Sequence, residues 1–379
     1  MTKVTKSKGT ELTPESITPA ELSAFRIGLL RWFAKHGREL PWRGTRDPYR
    51  IWVSEIILQQ TQTVQGWDYY LRFIDRLPDV KSLAEAPEDE LMLLWQGLGY
   101  YSRAHNMQHA ARQIMEEHGG VFPREEREVA ALKGVGPYTT AAIMSIAYDH
   151  PLAVVDGNVY RVLSRYLATD TPIDTTPGQR YYRQMAGLFL EREQPGRYNQ
   201  AMMDLGATIC TPKSPLCASC PLGGACRSRG TELVNLLPIK SHKTMVRERW
   251  IEYFLLLHRG QIAIRRRDSR RGIWKGLYEL PGVVLERKPT ALPTPPDGWE
   301  IIETLPLKDH RLSHRLLHLR VHVCSTLDDT DPTYPDGTEQ IPLSDHGTIA
   351  FPKPLRHFLD HYTGGNRLIQ FAKLQKSTS

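Results

Sequence analysis

The chain is poor in cysteine and lacks long hydrophobic runs. Only five cysteines occur among its 379 residues, far fewer than in the disulfide-dense domains of small secreted proteins. It has no uninterrupted apolar run of about 20 residues, the length that spans a bilayer, and its polar N-terminus has no apolar signal core. These absences argue against a membrane-spanning protein and a disulfide scaffold, and we expect an intracellular protein with no membrane partner.

A strong excess of one charge is also absent. The chain has 49 Lys and Arg against 42 Asp and Glu, a formal net charge of +7, which permits a nucleic-acid partner without requiring one. Positive charge is denser in residues 31–50, where six basic residues stand against two acidic ones. This segment is a candidate nucleic-acid contact, and an ordinary solvated surface is the alternative interpretation.

The pattern of apolar residues changes along the chain. Residues 22–205 show helix-length apolar patterns broken by Gly and Pro, whereas residues 250–257 and 262–265 resemble strands. This change predicts a mainly α N-terminal domain followed by an α+β C-terminal domain. The predicted boundaries are a flexible tail (1–20), a helical domain (21–209), a cysteine loop (210–227), an interdomain linker (228–246), an α+β domain (247–364) and a second tail (365–379).

Four of the five cysteines lie together: Cys210, Cys217, Cys220 and Cys226. The gaps between them are six, two and five residues, and thiolates are the ligands of iron–sulfur clusters and of structural zinc. All-cysteine zinc sites usually have two separated Cys-x-x-Cys pairs, whereas this segment has one such pair. The spacing therefore favours one [4Fe–4S] cluster, with zinc or a disulfide knot as the alternatives.

Residues 132–138 (LKGVGPY) lie between two helix-like segments. Gly134 and Gly136 permit a tight turn and a close backbone approach to a ligand, and Pro137 suits the first position of a helix. Free backbone N–H groups at that helix start can bind a DNA phosphate. The pattern is typical of a helix-hairpin-helix, although an ordinary turn between two helices has similar glycines.

Six longer motifs occur in one order: LPWR (40–43), DPYRIWVSEIILQQTQ (47–62), WQGLGYYSRAHN (95–106), LKGVGPYT (132–139), VDGNVYRV (155–162) and NQAMMDLGATIC (199–210). Together with the four-cysteine loop they resemble the endonuclease III superfamily of helix-hairpin-helix DNA glycosylases, and within it the MutY branch of adenine DNA glycosylases. The resemblance implies an enzyme of base excision repair that flips adenine mispaired with 8-oxoguanine or guanine out of double-stranded DNA and hydrolyses its N-glycosidic bond. We expect such an enzyme to be a monomer in the cytoplasm or nucleoid of a bacterium.

Two carboxylates are the candidates for this chemistry. Glu55 lies in a helix-like run whose apolar neighbours can desolvate it and raise its pKa, and the resemblance assigns it to the acid that protonates adenine and later activates water. Asp156 precedes a helix-like stretch, where a helix N-terminus favours the ionised form. The resemblance implies that Asp156 stabilises the sugar cation and that Asn158 supports Asp156. The alternatives are a solvated polar stripe of Glu55, Gln59 and Gln62 and a plain N-cap at Asp156.

The residue at position 138 distinguishes two kinds of glycosylase. In bifunctional relatives a lysine occupies this place after the hairpin and attacks the sugar as a Schiff-base nucleophile. This chain has Tyr138 there, and Lys133 lies before the hairpin glycines. The resemblance therefore implies a monofunctional glycosylase with little or no AP lyase activity.

The family pattern also implies which residues recognise the lesion pair. The adenine pocket is assigned to Arg38, Trp42, Arg43 and Gln200. Contacts with 8-oxoguanine and DNA are assigned to Gln60, Thr61, Leu98, Tyr100 and the hairpin glycines Gly134 and Gly136. Core packing is the alternative interpretation of Leu98 and Tyr100.

The C-terminal domain resembles the MutT-like Nudix module of this branch. A working Nudix hydrolase needs a glutamate-rich metal-binding helix after the GLYELPG-like segment, and residues 283–299 (VVLERKPTALPTPPDGW) lack it. The domain is therefore predicted to recognise 8-oxoguanine and not to hydrolyse nucleotides. Ser313 and His314 match a Phe-Ser-His motif assigned to that recognition, with Leu312 in place of the aromatic residue.

Two other functions agree with parts of the pattern. The first is an endonuclease III-like glycosylase and lyase for oxidised pyrimidines, which Tyr138 and the additional C-terminal domain argue against. The second is a non-catalytic, cluster-bearing DNA-binding protein, which the joint presence of Glu55 and Asp156 argues against.

Overall fold

The structure, a computed structural model, describes residues 13–59, 61, 63–242, 246–268, 272–312, 314–326 and 332–364. The chain divides into two compact units. The first unit consists of residues 1–85 and 106–243, and the second consists of residues 86–105 and 244–379. The second unit therefore includes a segment, 86–105, from the region that the sequence predicts to be helical.

The described residues contain thirteen α-helices, which are numbered here in chain order. They are α1 (Pro19–His36), α2 (Pro48–Leu58), α3 (Thr63–Arg76), α4 (Val80–Glu85), α5 (Glu88–Trp95), α6 (Ser102–His118), α7 (Glu126–Ala131), α8 (Pro137–Tyr148), α9 (Gly157–Leu167), α10 (Thr176–Phe189), α11 (Pro195–Thr208), α12 (Leu233–Leu236) and α13 (Lys353–Gly364). Helix α5, the first turn of α6 and α13 belong to the second unit, and the other helices belong to the first. The predicted helical N-terminal domain is therefore confirmed.

Several helices start at capping residues that are visible in the sequence. The Thr18 hydroxyl accepts a hydrogen bond from the backbone N–H of Glu21 (3.2 Å), and the Asp47 carboxylate accepts one from Tyr49 (2.9 Å). Each cap is followed by a proline, which has no N–H group to leave unpaired in the first turn. None of the helices in the described part of the chain is long and apolar enough to cross a membrane.

The core of the first unit includes α1, α9, α10 and α11. The rings of Phe25 and Tyr166 meet edge to face with their centroids 4.8 Å apart, and Phe189 packs on Phe25 at 4.6 Å. Asn199 of α11 is buried in this region, and its side-chain oxygen accepts a hydrogen bond from the backbone N–H of Val154 (3.1 Å). This bond fixes the segment that leads into α9, because a buried amide keeps the geometry that satisfies it.

The predicted hairpin connects α7 to α8. Gly134 has φ +80°, and a Cβ atom there would lie 2.7 Å from the Cβ of Asn106, so both the conformation and the space require glycine. Gly136 is extended and forms the N-cap of α8, and Pro137 is the first residue of the helix. The helix start predicted from the sequence is therefore confirmed.

In the described part of the second unit, eight strands form the sheet in the order β3–β2–β1–β7–β5, with β4 beside β1, β6 beside β7 and β8 beside β2. They are β1 (Arg247–His258), β2 (Gln261–Arg266), β3 (Tyr278–Glu279), β4 (Gly282–Leu285), β5 (Trp299–Pro306), β6 (His310–Arg311), β7 (Arg315–Thr326) and β8 (Glu339–Pro342). The central strands β1 and β7 are parallel, with Arg247 opposite Arg315 and Leu256 opposite Cys324. With α13, the sheet confirms the predicted α+β class.

The segment 86–105 is bonded to the C-terminal part of its own unit. The side-chain amide of Gln96 donates a hydrogen bond to the carbonyl oxygen of Phe351 (3.0 Å). Arg266 of β2 forms ion pairs with Asp89 (2.9 Å) and Glu88 (3.4 Å) of α5. These partly exposed contacts connect α5 and the turn after it to the sheet and to the residues before α13.

Candidate active site

A cavity of about 170 Å³ lies in the first unit, between α2, α8, the start of α9 and α11. It brings together all the residues that the sequence assigned to catalysis or to the adenine pocket, and it also includes Thr61. Its lining consists of Arg38, Leu40, Trp42, Arg43, Ile51, Ser54, Glu55, Leu58, Thr61, Thr63, Tyr138, Ile146, Asp156, Asn158, Gln200, Met203 and Ala207.

Glu55 lies in the middle of α2 and is only 6 % exposed. Burial raises the pKa of its carboxyl to about 7, and the nearby Asp156 acts in the same direction. The hydrogen bond from Tyr138 and the positive charge of Arg43 oppose this rise. Glu55 is therefore not part of a solvated polar stripe on α2. Its carboxyl is able to exchange a proton near neutral pH.

Tyr138, in the first turn of α8, contacts Glu55 directly. Its hydroxyl donates a hydrogen bond to Oε2 of Glu55 (2.6 Å) and also lies 3.3 Å from the sulfur of Met203. Burial and the two neighbouring carboxylates raise the pKa of Tyr138 well above its usual range, so the hydroxyl keeps its proton and acts as a donor. The side chain thereby fixes the orientation of the Glu55 carboxyl.

Asp156 is the N-cap of α9. Its Oδ1 accepts hydrogen bonds from the backbone N–H groups of Asn158 (2.9 Å) and Val159 (2.8 Å), and its Oδ2 accepts one from Nδ2 of Asn158 (2.8 Å). Burial nevertheless raises the pKa of Asp156 above its ordinary value, although these donors and Arg161 oppose the rise. The prediction from the sequence considered the effect of the helix N-terminus on the pKa of Asp156 but not the effect of burial.

Arg161 connects the site to the cysteine segment. Arg161 is not among the residues predicted from the sequence. Its Nη2 donates to Oδ1 of Asn158 (2.7 Å), and its Nε donates to the carbonyl oxygen of Cys210 (2.6 Å). Gly206 of α11 packs at the same point, where a Cβ atom would lie 2.5 Å from the Cβ of Asn158. The amide of Asn158 is therefore held from both sides, so that its NH₂ group faces Asp156.

Asp204 is a second residue that the sequence analysis missed, although it lies in one of the motifs. Its side chain is fully buried behind the cavity and accepts hydrogen bonds from both Arg38 and Arg43. Burial alone would raise the pKa of Asp204, but these bonds outweigh burial and lower it. The sequence offers no local signal for this contact, because Asp204 lies more than 160 positions from both arginines in the chain.

The four clustered cysteines line one small cavity of about 30 Å³, together with Arg165, Pro215, Gly223 and other residues. Their thiols are free, and Nη1 of Arg165 lies 3.4 Å from the sulfur of Cys210. Within the described ranges, no group of three or more His, Cys, Asp or Glu side chains is arranged to hold a single metal ion. Four thiols around one cavity are a donor set that an iron–sulfur cluster or structural zinc can use.

Leu98 and Tyr100 lie in the second unit, in the turn after α5. Leu98 is buried, whereas Tyr100 is 44 % exposed and has a φ of 47°, which few residues other than glycine adopt. Arg103 donates hydrogen bonds to the carbonyl oxygens of Leu98 (3.3 Å) and Gly99 (3.1 Å) and stabilises this turn. Core packing therefore explains Leu98 but not Tyr100, whose ring is accessible to a ligand.

The remaining predicted DNA-contact residues are only partly described. Gln60 and Ser313 lie outside the described residues. His314 is exposed immediately before β7, and its carbonyl oxygen accepts a hydrogen bond from the backbone N–H of Arg247 (3.0 Å). Gly134 and Gly136 lie in the hairpin described above.

Comparison with known proteins connects these features to one family. A model of the HhH-GPD superfamily base excision DNA repair proteins matches residues 53–181, and a NUDIX domain model matches residues 252–361. The adenine DNA glycosylase of Buchnera aphidicola subsp. Baizongia pistaciae (strain Bp) is 33% identical over 258 residues, which cover 67% of this chain and 72% of the relative. The chain belongs to the adenine DNA glycosylase family.

Other members of the adenine DNA glycosylase family match a smaller share of their length. The mouse protein is 42% identical over 239 residues (59% of this chain, 46% of the relative), and the human protein is 43% identical over 219 residues (55% and 40%). The chain thus matches less than half the length of these mammalian relatives. The solved structure of a thermostable thymine-DNA glycosylase superposes with a TM-score of 0.52 at 28% identity, over 55% of this chain and 96% of that one. The predicted fold class, a helix-hairpin-helix glycosylase domain with a MutT-like domain, is confirmed.

Proposed function

We propose that this protein is a monofunctional adenine DNA glycosylase that excises adenine opposite 8-oxoguanine or guanine from double-stranded DNA in base excision repair. One observation supports it most strongly: a single cavity contains a buried carboxyl with a pKa of about 7, Glu55, and a second carboxyl, Asp156, bound by three N–H donors. Two carboxylates in unlike settings are what acid-assisted cleavage of a glycosidic bond requires.

Glu55 acts as the general acid in this proposal. A carboxyl with a pKa of about 7 is partly protonated at neutral pH and can donate its proton to a ring nitrogen of adenine, so that the base leaves as a neutral species. The carboxylate left behind then accepts a proton from the attacking water. The proton donated by Glu55 is thus regained within one turnover.

Asp156 stabilises the sugar cation that forms as the bond breaks. Its two oxygens are held by the backbone N–H groups at the start of α9 and by the amide of Asn158, so the carboxylate is already oriented before DNA binds. A fixed anion in a site that excludes water stabilises developing positive charge more strongly than a hydrated one does.

The contacts of Tyr138 support monofunctional chemistry. It occupies the cavity wall, and no lysine is found among the described residues that line this cavity. The backbone N–H of Lys133 donates to the side chain of Gln113 (2.9 Å), in the turn on the other side of the hairpin glycines. An amine positioned for Schiff-base attack on the sugar is therefore missing from that lining.

Recognition of the base pair is divided in this proposal between two sets of residues. Arg38, Trp42, Arg43 and Gln200 surround the flipped adenine. The exposed ring of Tyr100 enters the base stack next to 8-oxoguanine, while the buried Leu98 packs inside the fold. The remaining contacts come from Gln60, Thr61, Gly134, Gly136, Ser313 and His314. Residues 286–298, between β4 and β5, form no helix, so a helical metal site of the Nudix type is missing from that segment and the domain serves recognition.

The ligands of one [4Fe–4S] cluster are Cys210, Cys217, Cys220 and Cys226 in this proposal. The four thiolates would hold such a cluster, which would stabilise the fold of the loop. Arg227, a basic residue of this loop, pairs with Glu21 (2.9 Å) and lies over the ring of Tyr166, so its guanidinium is bound within the protein.

The test is single-turnover base release from duplexes that place adenine opposite 8-oxoguanine, guanine or cytosine. We expect fast release from the first, slower release from the second, and little from the third. A duplex with thymine glycol and a borohydride-trapping assay serve as controls for the endonuclease III-like alternative. The proposal fails if adenine opposite 8-oxoguanine is not released, or if the protein becomes covalently trapped on DNA.

A further inference from the structure

Asp204 lies where two cationic side chains of the cavity wall meet. Its side chain is fully buried, and the structure places it behind Arg38 and Arg43, not on the cavity surface. The side chain of Arg38 is 30 % exposed and that of Arg43 is 14 % exposed. A buried anion next to two cations that face a reaction site is able to control the electrostatic potential in that site.

The contact is dense and uses both carboxylate oxygens. Oδ1 accepts from Nε (2.8 Å) and Nη2 (2.5 Å) of Arg38 and from Nη2 of Arg43 (2.7 Å). Oδ2 accepts from Nη1 of Arg43 (2.7 Å) and from the backbone N–H of Arg38 (2.9 Å). Arg43 also donates to the carbonyl oxygen of Arg38 (2.6 Å), so its guanidinium is fixed in one orientation.

The charge of Arg43 acts on Glu55. A positive charge near a carboxyl favours its ionised form, and Arg43 has this effect on Glu55. We propose that Asp204 is a positioning residue that neutralises Arg43 and thereby allows Glu55 to keep the proton it donates to adenine. This inference rests on the proposed function, because it concerns the acid of that reaction.

The other groups that face Glu55 are few. Tyr138 comes from α8 and Asp156 from the N-cap of α9, while Arg38 and Arg43 come from the segment before α2. Helix α3, which also packs on α2, contributes the uncharged Thr63 to the described lining of the cavity. Arg43 is therefore the cation whose neutralisation has the largest effect on Glu55.

Removing the charge of Asp204 should change the pH dependence of the reaction. Glu55 donates a proton, so the single-turnover rate is high below its pKa and falls as the pH rises through it. In Asp204→Asn the charge of Arg43 is no longer neutralised, the ionised form of Glu55 is favoured, and the loss of rate moves to lower pH. We expect the midpoint of this loss to move down by about one pH unit.

The experiment is a set of single-turnover pH profiles, from pH 5.5 to 9, of adenine release from an A:8-oxoguanine duplex. Wild type, Asp204→Asn and Asp204→Glu are compared, and the glutamate variant retains the charge and should keep the wild-type midpoint. Where Asp204→Asn does not fold, Arg38→Gln is compared with Arg38→Gln/Asp204→Asn, in which only Arg43 loses its partner. The same downward shift is expected there.

The outcomes separate the two hypotheses. If wild type releases no adenine, the proposed function fails. If wild type is active and Asp204→Asn lowers the rate equally at every pH, with an unchanged midpoint, Asp204 has only a structural role and the inference is overturned. A downward shift that also occurs in Arg43→Gln/Asp204→Asn relative to Arg43→Gln would likewise contradict it, because Asp204 would then not act through Arg43.

Discussion

Glu55 and Asp156 line the same cavity, yet the chain surrounds them in opposite ways. Glu55 projects from the middle of a buried helix and, among the residues that the structure describes, accepts one hydrogen bond, from the Tyr138 hydroxyl. Asp156 ends a loop at a helix N-terminus and accepts three N–H donors. Burial raises the pKa of both carboxyls, but only Asp156 has several donors that stabilise its charge. The proposed function depends on this difference in surroundings, because the two side chains carry the same carboxyl group.

The strongest test of this comparison is Asp156→Asn. Asparagine is as good an N-cap as aspartate, so α9 keeps its start and the stability should change by less than about 0.5 kcal/mol. The anion is lost, and we expect the single-turnover rate of adenine release to fall by about 1,000-fold or more. Rapid-quench kinetics and thermal melts of the same preparation measure both quantities; equal activity would remove Asp156 from the mechanism.

Glu55→Gln should separate activity from stability. The loss of the acid should lower the rate by about 100- to 10,000-fold. The pKa of Glu55 is about 7 in the fold and 4.5 as its reference value, so the native state binds the additional proton between these values. The proton on Glu55 stabilises the folded state fully below pH 4.5. This stabilisation is lost as the pH rises through 7, which lowers the free energy of unfolding by about 3 kcal/mol.

Glu55→Gln has no such proton, so its stability should depend less on pH and exceed that of wild type at pH 8. Urea unfolding of both proteins at pH 5 and pH 8 measures the difference. Parallel pH dependences in the two proteins would show that Glu55 is solvated in the folded state.

Tyr138→Phe is expected to have the smallest effect. The hydroxyl of Tyr138 lowers the pKa of Glu55 through its hydrogen bond, in opposition to burial. Without it the protonated form of Glu55 persists to higher pH, so the midpoint of the rate profile should rise by about one pH unit. The rate at pH 7 should change by only a few-fold, and a downward midpoint would contradict the assigned direction of this bond.

Much of this arrangement follows from local sequence signals. Asp156 as an N-cap, Pro137 as a first helical residue and the glycines of the hairpin predict helix starts and a turn that the structure confirms. The sequence alone does not determine the burial of Glu55, because the pattern in α2 is also compatible with a polar stripe. It depends on how α2 packs against α8, which is a tertiary property that propensity does not determine.

The contacts that were missed are the long-range ones. Asp204 and Arg161 are ordinary helix residues by sequence, and only the packing of α11 against α9 and against the segment before α2 reveals their partners. The strands β5 and β8 were also not predicted, because charged residues such as Glu300 and Glu339 interrupt their apolar pattern. In each case the determining interaction comes from a distant part of the chain.

The grouping of residues 86–105 with the C-terminal unit has a consequence for protein engineering. A chain shortened in the segment 228–246 would lose the carbonyl oxygen of Phe351, to which Gln96 is bonded, and Arg266, which pairs with α5. The turn that presents Tyr100 would remain in such a fragment without these neighbours. Truncation would therefore remove the MutT-like domain and also change the environment of the Tyr100 turn in the part that is left, so the two domains are not interchangeable modules.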